Sequence, residues 1–204
     1  MKMKTSQHRT TGRIGSAAAL LALVSLVGAP RAGLAAQDLP SPAAVASPRA
    51  YVSLSPVPRN HEFEIAVVVR IMAGFHMNAN KVSLDYLIPT TLAAALPAGF
   101  KEIETTYPEG KTLKLAFSDT PLSVYTGSFT VRVKLSAGSD AALGRQTLPF
   151  SLRYQACNET SCLPPVKIPV TATIEVAPAG TKARAMSPEI FSAQPARRSP
   201  ATKN

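Results

Sequence analysis

From residue 61 onward the chain runs in short stretches of alternating apolar and polar positions, the two-residue period of half-buried β-strands. Residues 62–72 begin with charged/apolar alternation and turn β-branched, as a strand passing into a core does. Residues 101–107 alternate and then meet a turn signal, Pro108, Glu109 and Gly110. Residues 111–117 alternate again, with Leu113, Leu115 and Phe117 on one face. Residues 128–135 set Phe129, Val131, Val133 and Leu135 against Thr130, Arg132 and Lys134. Residues 146–154 align Leu148, Phe150 and Leu152, and residues 166–176 align Val170, Ala172, Ile174 and Val176. The one helical candidate, residues 91–96, is too short to stand alone and is stopped by Pro97. Many short strands, regular turns and no long amphipathic helix predict an all-β fold, a single immunoglobulin-like β-sandwich. Trp is absent, so the Cys–Trp–Cys core of antibody domains is missing.

The ends follow other rules. Lys2, Lys4, Arg9 and Arg13 precede an apolar stretch at 14–29 and small residues at 31–36. This is the layout of a secretory signal peptide, residues 1–36, cleaved near Ala35 or Ala36. The apolar run falls short of the ~20 residues that span a bilayer, and no later run approaches that length. An exported protein is expected, read here as periplasmic with full secretion left open. Residues 37–48 read as a Pro/Ala-rich linker, 49–177 as the folded domain, and 178–204 as a disordered basic tail in which Ile190 and Phe191 are candidates for docking.

The net charge of +10 belongs mostly to these ends. Residues 1–36 hold five Lys/Arg and no acid, and residues 178–204 hold five against Glu189. The stretch 37–177 has twelve basic and eleven acidic side chains. A nucleic-acid binder carries its basic patch on the folded domain, so nucleic acid is discounted. Membrane contact is expected to be at most a weak attraction of the tail to anionic lipid.

The only cysteines, Cys157 and Cys162, have four residues between them and lie between two expected strands, followed by Pro164 and Pro165. If bonded, so short a ring stabilises a fold by only about 2 kcal/mol in the chain-entropy model. It is a poor staple for a sandwich and is better suited to opening and closing. On a loop, either sulfur is reachable for thiol–disulfide exchange. Arg153 and Lys167 flank the loop and favour a thiolate, while Glu159 opposes it; the prolines stiffen the exit. The bland alternative is a local structural disulfide that only rigidifies a hairpin, in a non-catalytic binding domain.

Other candidates are thinner. His76, with Met77, Asn78 and Asn80 nearby, reads either as a polar turn satisfying backbone groups or, with the two thiols, as a Cu(I) site. His61 lies at a strand start and His8 in the leader, without zinc-ligand spacing. Tyr154 and Phe150 read as core, and Asp119 and Glu159 as isolated carboxylates. Gly127, Gly138 and Gly144 read as turns, with no phosphate loop and no Gly-x-Ser-x-Gly hydrolase stretch. No cofactor and no resident metal are expected.

The run from Leu152 through Cys157 to Cys162 and Pro165 resembles the N-terminal periplasmic domain of the thiol:disulfide interchange protein DsbD. Residues 74–80 (GFHMNAN), 86–90 (YLIPT) and 117–125 (FSDTPLSVY) are similar to segments of that domain and its stand-alone relatives. The resemblance spans roughly residues 50–177. It implies an immunoglobulin-like domain that relays electrons through one Cys pair, as a component of a protein-disulfide reductase. The implied partners are a thioredoxin-like or membrane thiol:disulfide reductant on one side and periplasmic thiol–disulfide proteins on the other. It gives Cys162 the mixed disulfides and Cys157 their resolution, with a disulfide between the two. It places a shielding loop at Phe117, Ser118 and Asp119. The multi-span membrane domain and thioredoxin-like domain of full-length DsbD are not expected in this chain, so a separate reductant is implied.

Overall fold

The computed structural model describes residues 39–192. The expected leader and residues 193–204 lie outside the described residues. A single 3-10 turn at Pro42–Val45 leads into β1 (Ala46–Val52), β2 (Leu54–Ser55), β3 (Val57–Pro58), β4 (His61–Ile71), β5 (His76–Asn78), β6 (Thr91–Ala94) and β7 (Phe100–Thr106). Then follow β8 (Lys111–Leu113), β9 (Leu122–Thr126), β10 (Ser128–Ala137), β11 (Gly144–Tyr154), β12 (Ala156–Cys157), β13 (Val166–Ala177), β14 (Arg184–Ala185) and the short helix α1 (Pro188–Phe191).

One sheet has the order β1-β4-β10-β7 and a second β3-β13-β11-β6. A smaller sheet, β12-β5-β9-β8, carries the cysteines, and β14 pairs with β2. In β10 every second residue is buried, and the buried set Phe129, Val131, Val133 and Leu135 lies in register with Val69, Val67, Ile65 and Phe63 of β4. From the second sheet, Leu148, Phe150 and Leu152 of β11 and Val170, Ala172, Ile174 and Val176 of β13 join the same core. These are the faces the alternation predicts, because a period of two puts one set of side chains inside. The molecule is an all-β immunoglobulin-like sandwich.

Four expectations are corrected. Residues 91–96 are not helical: Thr91–Ala94 is an edge strand on β11, with Leu92 opposite Leu152. One helical turn is costly to nucleate, whereas the open edge of β11 supplies ready partners. Residues 111–117 are not one strand. β8 stops at Leu113, Leu115 sinks into a small cluster with Leu122 and Val124, and the Ser118 N–H bonds the Leu115 carbonyl. That turn takes Phe117 off the sheet.

The linker 37–48 is in large part structured. Val45 is buried, β1 pairs along its whole length with β4, and the Tyr154 hydroxyl donates to the Pro42 carbonyl at 2.7 Å. Backbone pairing orders a Pro/Ala-rich stretch that has no apolar period of its own.

The tail, expected to be disordered from 178, is docked through Ser192. β14 pairs with β2, and the Met186 N–H bonds the Ser53 carbonyl at 2.8 Å. Arg132 donates to the Ile190 and Phe191 carbonyls at 2.6 and 2.9 Å and lies over the Phe191 ring, 5.7 Å from its centroid. One guanidinium thus satisfies carbonyls at the end of the short helix and packs on its aromatic residue.

Candidate functional site

Tyr154 carries the end of β11 into the core, and two residues later β12 lays Cys157 directly opposite His76 of β5. The chain then reverses on the Asn158 side chain. Its Oδ1 accepts from the backbone N–H of Thr160 at 2.9 Å and of Ser161 at 2.8 Å, and from the Thr160 hydroxyl at 3.1 Å. Asn suits this position because its short amide can stand in for a backbone carbonyl.

Two backbone bonds bracket the cysteines: Asn158 N–H to Ser161 O at 2.9 Å, and Leu163 N–H to Ala156 O at 2.8 Å. Cys157 and Cys162 therefore face each other as a non-hydrogen-bonded antiparallel pair. Their Cα atoms are 3.9 Å apart and their sulfurs are bonded at 2.06 Å, with χ3 of 98°. Leu163 is buried in the main core and seats the returning limb, while Pro164 and Pro165 are exposed.

The two halves of the bridge differ in access. Cys157 is 2% exposed, whereas Cys162 is an exposed residue at the hairpin's outer limb. Exchange requires a sulfur that an incoming thiolate can reach, and Cys162 is the residue of the pair that lies at the surface.

His76 closes the inner side. Directly opposed residues of an antiparallel pair share one face of the sheet, so the imidazole and the Cys157 side chain are neighbours across the strands. The His76 side chain is buried, and its Nε2 has no hydrogen-bond partner. The Phe117 ring lies nearly parallel to the imidazole, at 11° and 6.2 Å between centroids. Phe117 is itself 40% exposed, so it is an outer cover rather than a core residue.

The loop that presents it is held by buried Leu115, by the Ser118 hydroxyl donating to the Thr120 carbonyl at 2.7 Å, and by Lys114 Nζ donating to the Asp119 carbonyl. Burial holds the His76 imidazole below its ordinary pKa of 6.5, and the Glu159 carboxylate on the cysteine turn pulls it partly back up.

The structure thus brings Cys157, Cys162, His76, Glu159 and Phe117 into one neighbourhood. Arg153 and Lys167 are register partners of each other on β11 and β13, at the base of the hairpin. Met77 is fully buried in the main core, on the face of β5 opposite to His76. It cannot join His76 and the thiols in a soft-metal set. Among the described residues no group of three or more His, Cys, Asp or Glu could hold a metal ion.

The expected polar turn around His76 is a strand. Asn78 Nδ2 donates to the Ile88 carbonyl at 3.1 Å and Asn80 Nδ2 to the Thr90 carbonyl at 3.0 Å, tying down the following loop. His76 is the exception that satisfies no backbone group through Nε2. The missed signal was present: Phe75, Met77 and Ala79 alternate with His76, Asn78 and Asn80, a strand period over six residues. A groove of about 740 Å³ lies between the first sheet and the docked tail and includes none of these residues.

A family model described as thiol:disulfide interchange protein DsbD, N-terminal, matches residues 42–173. Among solved structures, the N-terminal periplasmic domain of ScsB from Proteus mirabilis is similar at 11% identity, with a TM-score of 0.48; the match covers 76% of this chain and 54% of that one. The chain therefore matches about half the length of that structure. AggA, the major subunit of aggregative adherence fimbriae type I from Escherichia coli, is also 11% identical, with a TM-score of 0.31, covering 65% of this chain and 96% of that one. No curated protein matches. The family match runs from the first turn of the described structure into β13 and spans both cysteines, and the chain belongs to the family of DsbD N-terminal domains.

Proposed function

We propose that this domain is a periplasmic thiol–disulfide exchange module that relays reducing equivalents through Cys157 and Cys162. A thiolate of the reductant attacks Cys162 Sγ, the sulfur–sulfur bond of the ring breaks, and Cys157 leaves as a thiolate. A second thiol of the reductant then resolves the mixed disulfide and departs oxidised, leaving a dithiol here. The dithiol reduces an exported partner by the reverse steps: Cys162 forms the mixed disulfide and Cys157 resolves it. Each cycle moves two electrons and two protons.

The observation that carries this reading is the unequal access of the two cysteines, exposed Cys162 against buried Cys157. A purely structural bridge needs no reachable half. Phe117, Ser118 and Asp119 act as the shield that moves aside when a partner docks. Family membership points to an exported protein, and the basic-then-apolar leader, residues 1–36, supports export to the periplasm. The reductant is a thioredoxin-like or membrane thiol:disulfide protein.

The test is trapping. Cys157→Ser should accumulate mixed disulfides through Cys162, while Cys162→Ser should accumulate few, because the remaining thiol is buried. A reduction potential well below about −300 mV, the range of inert structural bridges, together with no captured protein, overturns the proposal.

A further inference from the structure

We infer that His76 is the proton partner of Cys157, its imidazole taking the thiol proton when the ring closes and returning it when the ring opens. This rests on reading the cysteine pair as the exchange centre. The ring cannot open without placing a thiolate at Cys157, a residue with almost no access to water. A buried anion with neither a proton nor a hydrogen-bond donor is expensive, so the site needs a group that supplies one.

The residue directly across the strands is His76, on the same sheet face and also buried. Its buried Nε2 is left without a partner in the oxidised form. A buried nitrogen that bonds nothing while the disulfide is intact is free to bond the sulfur that appears when the disulfide breaks.

The surroundings fit this role. Phe117 covers the imidazole from the outside and Thr126 of β9 is its register partner on the other strand; neither carries charge. In the covering loop, the Lys114 ammonium is engaged with the Asp119 carbonyl. Glu159 is the carboxylate that acts on the imidazole, and it favours the imidazolium. Burial holds the imidazole neutral in the oxidised protein, which leaves it able to accept a proton.

The steps balance. On opening, the incoming thiolate bonds Cys162 Sγ, and Cys157 receives the electron pair of the broken bond. The imidazolium, protonated from solvent, delivers its proton to that sulfur and becomes neutral. On closing, neutral His76 takes the Cys157 proton. The thiolate attacks Cys162 Sγ and expels the partner as a thiolate, and the imidazolium returns the proton to that thiolate or to solvent.

The experiment is a titration of the full chain, following the imidazole resonances by NMR in the oxidised and reduced states. Coupling is reciprocal, so a Cys157 sulfur that bonds Nε2 in the reduced state must shift the proton affinity of His76. Reduction is expected to shift it about tenfold, one pKa unit, and Cys157→Ala to abolish the shift. Identical His76 titrations in both redox states overturn the inference.

Kinetics supply a second readout. Starting from a glutathione mixed disulfide on Cys162, His76→Gln should slow ring closure by about a hundredfold, at the lower end of general-base effects, and flatten its dependence on pH between 5 and 8. Closure at the wild-type rate with the wild-type pH profile counts against the role. If the variant fails to fold, the titration of the unsubstituted chain still decides. Neither measurement needs a protein partner. Captured partners with an unmoved His76 titration overturn this inference alone; a shifted titration without captured partners overturns the exchange function alone.

Discussion

Replacing Phe117 by alanine separates cover from scaffold. The ring is 40% exposed and stacks on His76, at 6.2 Å between centroids. Such a pair contributes about 0.5–1.5 kcal/mol beyond area burial. If the loop shields the disulfide as proposed, that energy holds it shut, and its loss multiplies the open population by up to about tenfold, since about 1.4 kcal/mol is a factor of ten.

The assay is stopped-flow reduction of the oxidised domain by excess dithiothreitol, compared between Phe117→Ala and the unsubstituted chain. The variant should react about two to ten times faster and lose only about 1 kcal/mol in urea unfolding. Leu115→Ala, which loosens the same loop from its buried anchor, should give an acceleration in the same direction with a larger stability loss, about 2–5 kcal/mol. A folded Phe117→Ala protein that reacts at the original rate refutes the shielding argument.

Three further expectations can be checked on the purified domain. Because burial lowers the His76 pKa below 6.5, the unfolded chain binds that proton first as pH falls; the stabilising contribution is complete above 6.5 and fades below it, so the stability difference between the oxidised protein and His76→Phe should change only on the acid side in denaturant titrations. Tyr154→Phe removes the hydroxyl bond to the Pro42 carbonyl and should cost about 1 kcal/mol; burial raises that phenol to about 12, so the folded wild type should retain an un-ionised tyrosine in absorbance titrations well past pH 10. Arg132→Ala should speed hydrogen exchange across residues 184–192, since its guanidinium holds the docked tail through the Ile190 and Phe191 carbonyls.

The sandwich was legible because its central strands are buried on one face only. In β10 and β13 each inward residue is apolar and nearly each outward one polar, so a period of two gives strand, face and core together. Edges were harder to read. β1 begins in a Pro/Ala-rich run that borrows its order from β4, and β6 is a helix-like Thr-Leu-Ala-Ala string that pairs with β11. The cysteine hairpin was readable from spacing and turn residues, but the unequal burial of its two halves depends on Leu163 and β5, which are tertiary facts. The strand at His76 is legible only in the alternation of Phe75, Met77 and Ala79 with His76, Asn78 and Asn80, whose polar members read equally well as a turn. The tail's docking rests on Arg132, 58 residues before the carbonyl it holds, and no local pattern records that contact.

The bridge between Cys157 and Cys162 sits inside a hairpin already closed by the Asn158 side chain and by backbone bonds on both sides of the pair. Cleaving the sulfur–sulfur bond leaves those bonds in place, so the oxidised and reduced forms should share one backbone. A docking protein then meets almost the same contour before and after two electrons have moved. It has little shape by which to tell spent from charged, and its departure must be driven by the covalent step itself. In the proposed relay, release is therefore timed by which sulfur holds the bond, and a rigid hairpin would suit letting go of unlike partners in turn.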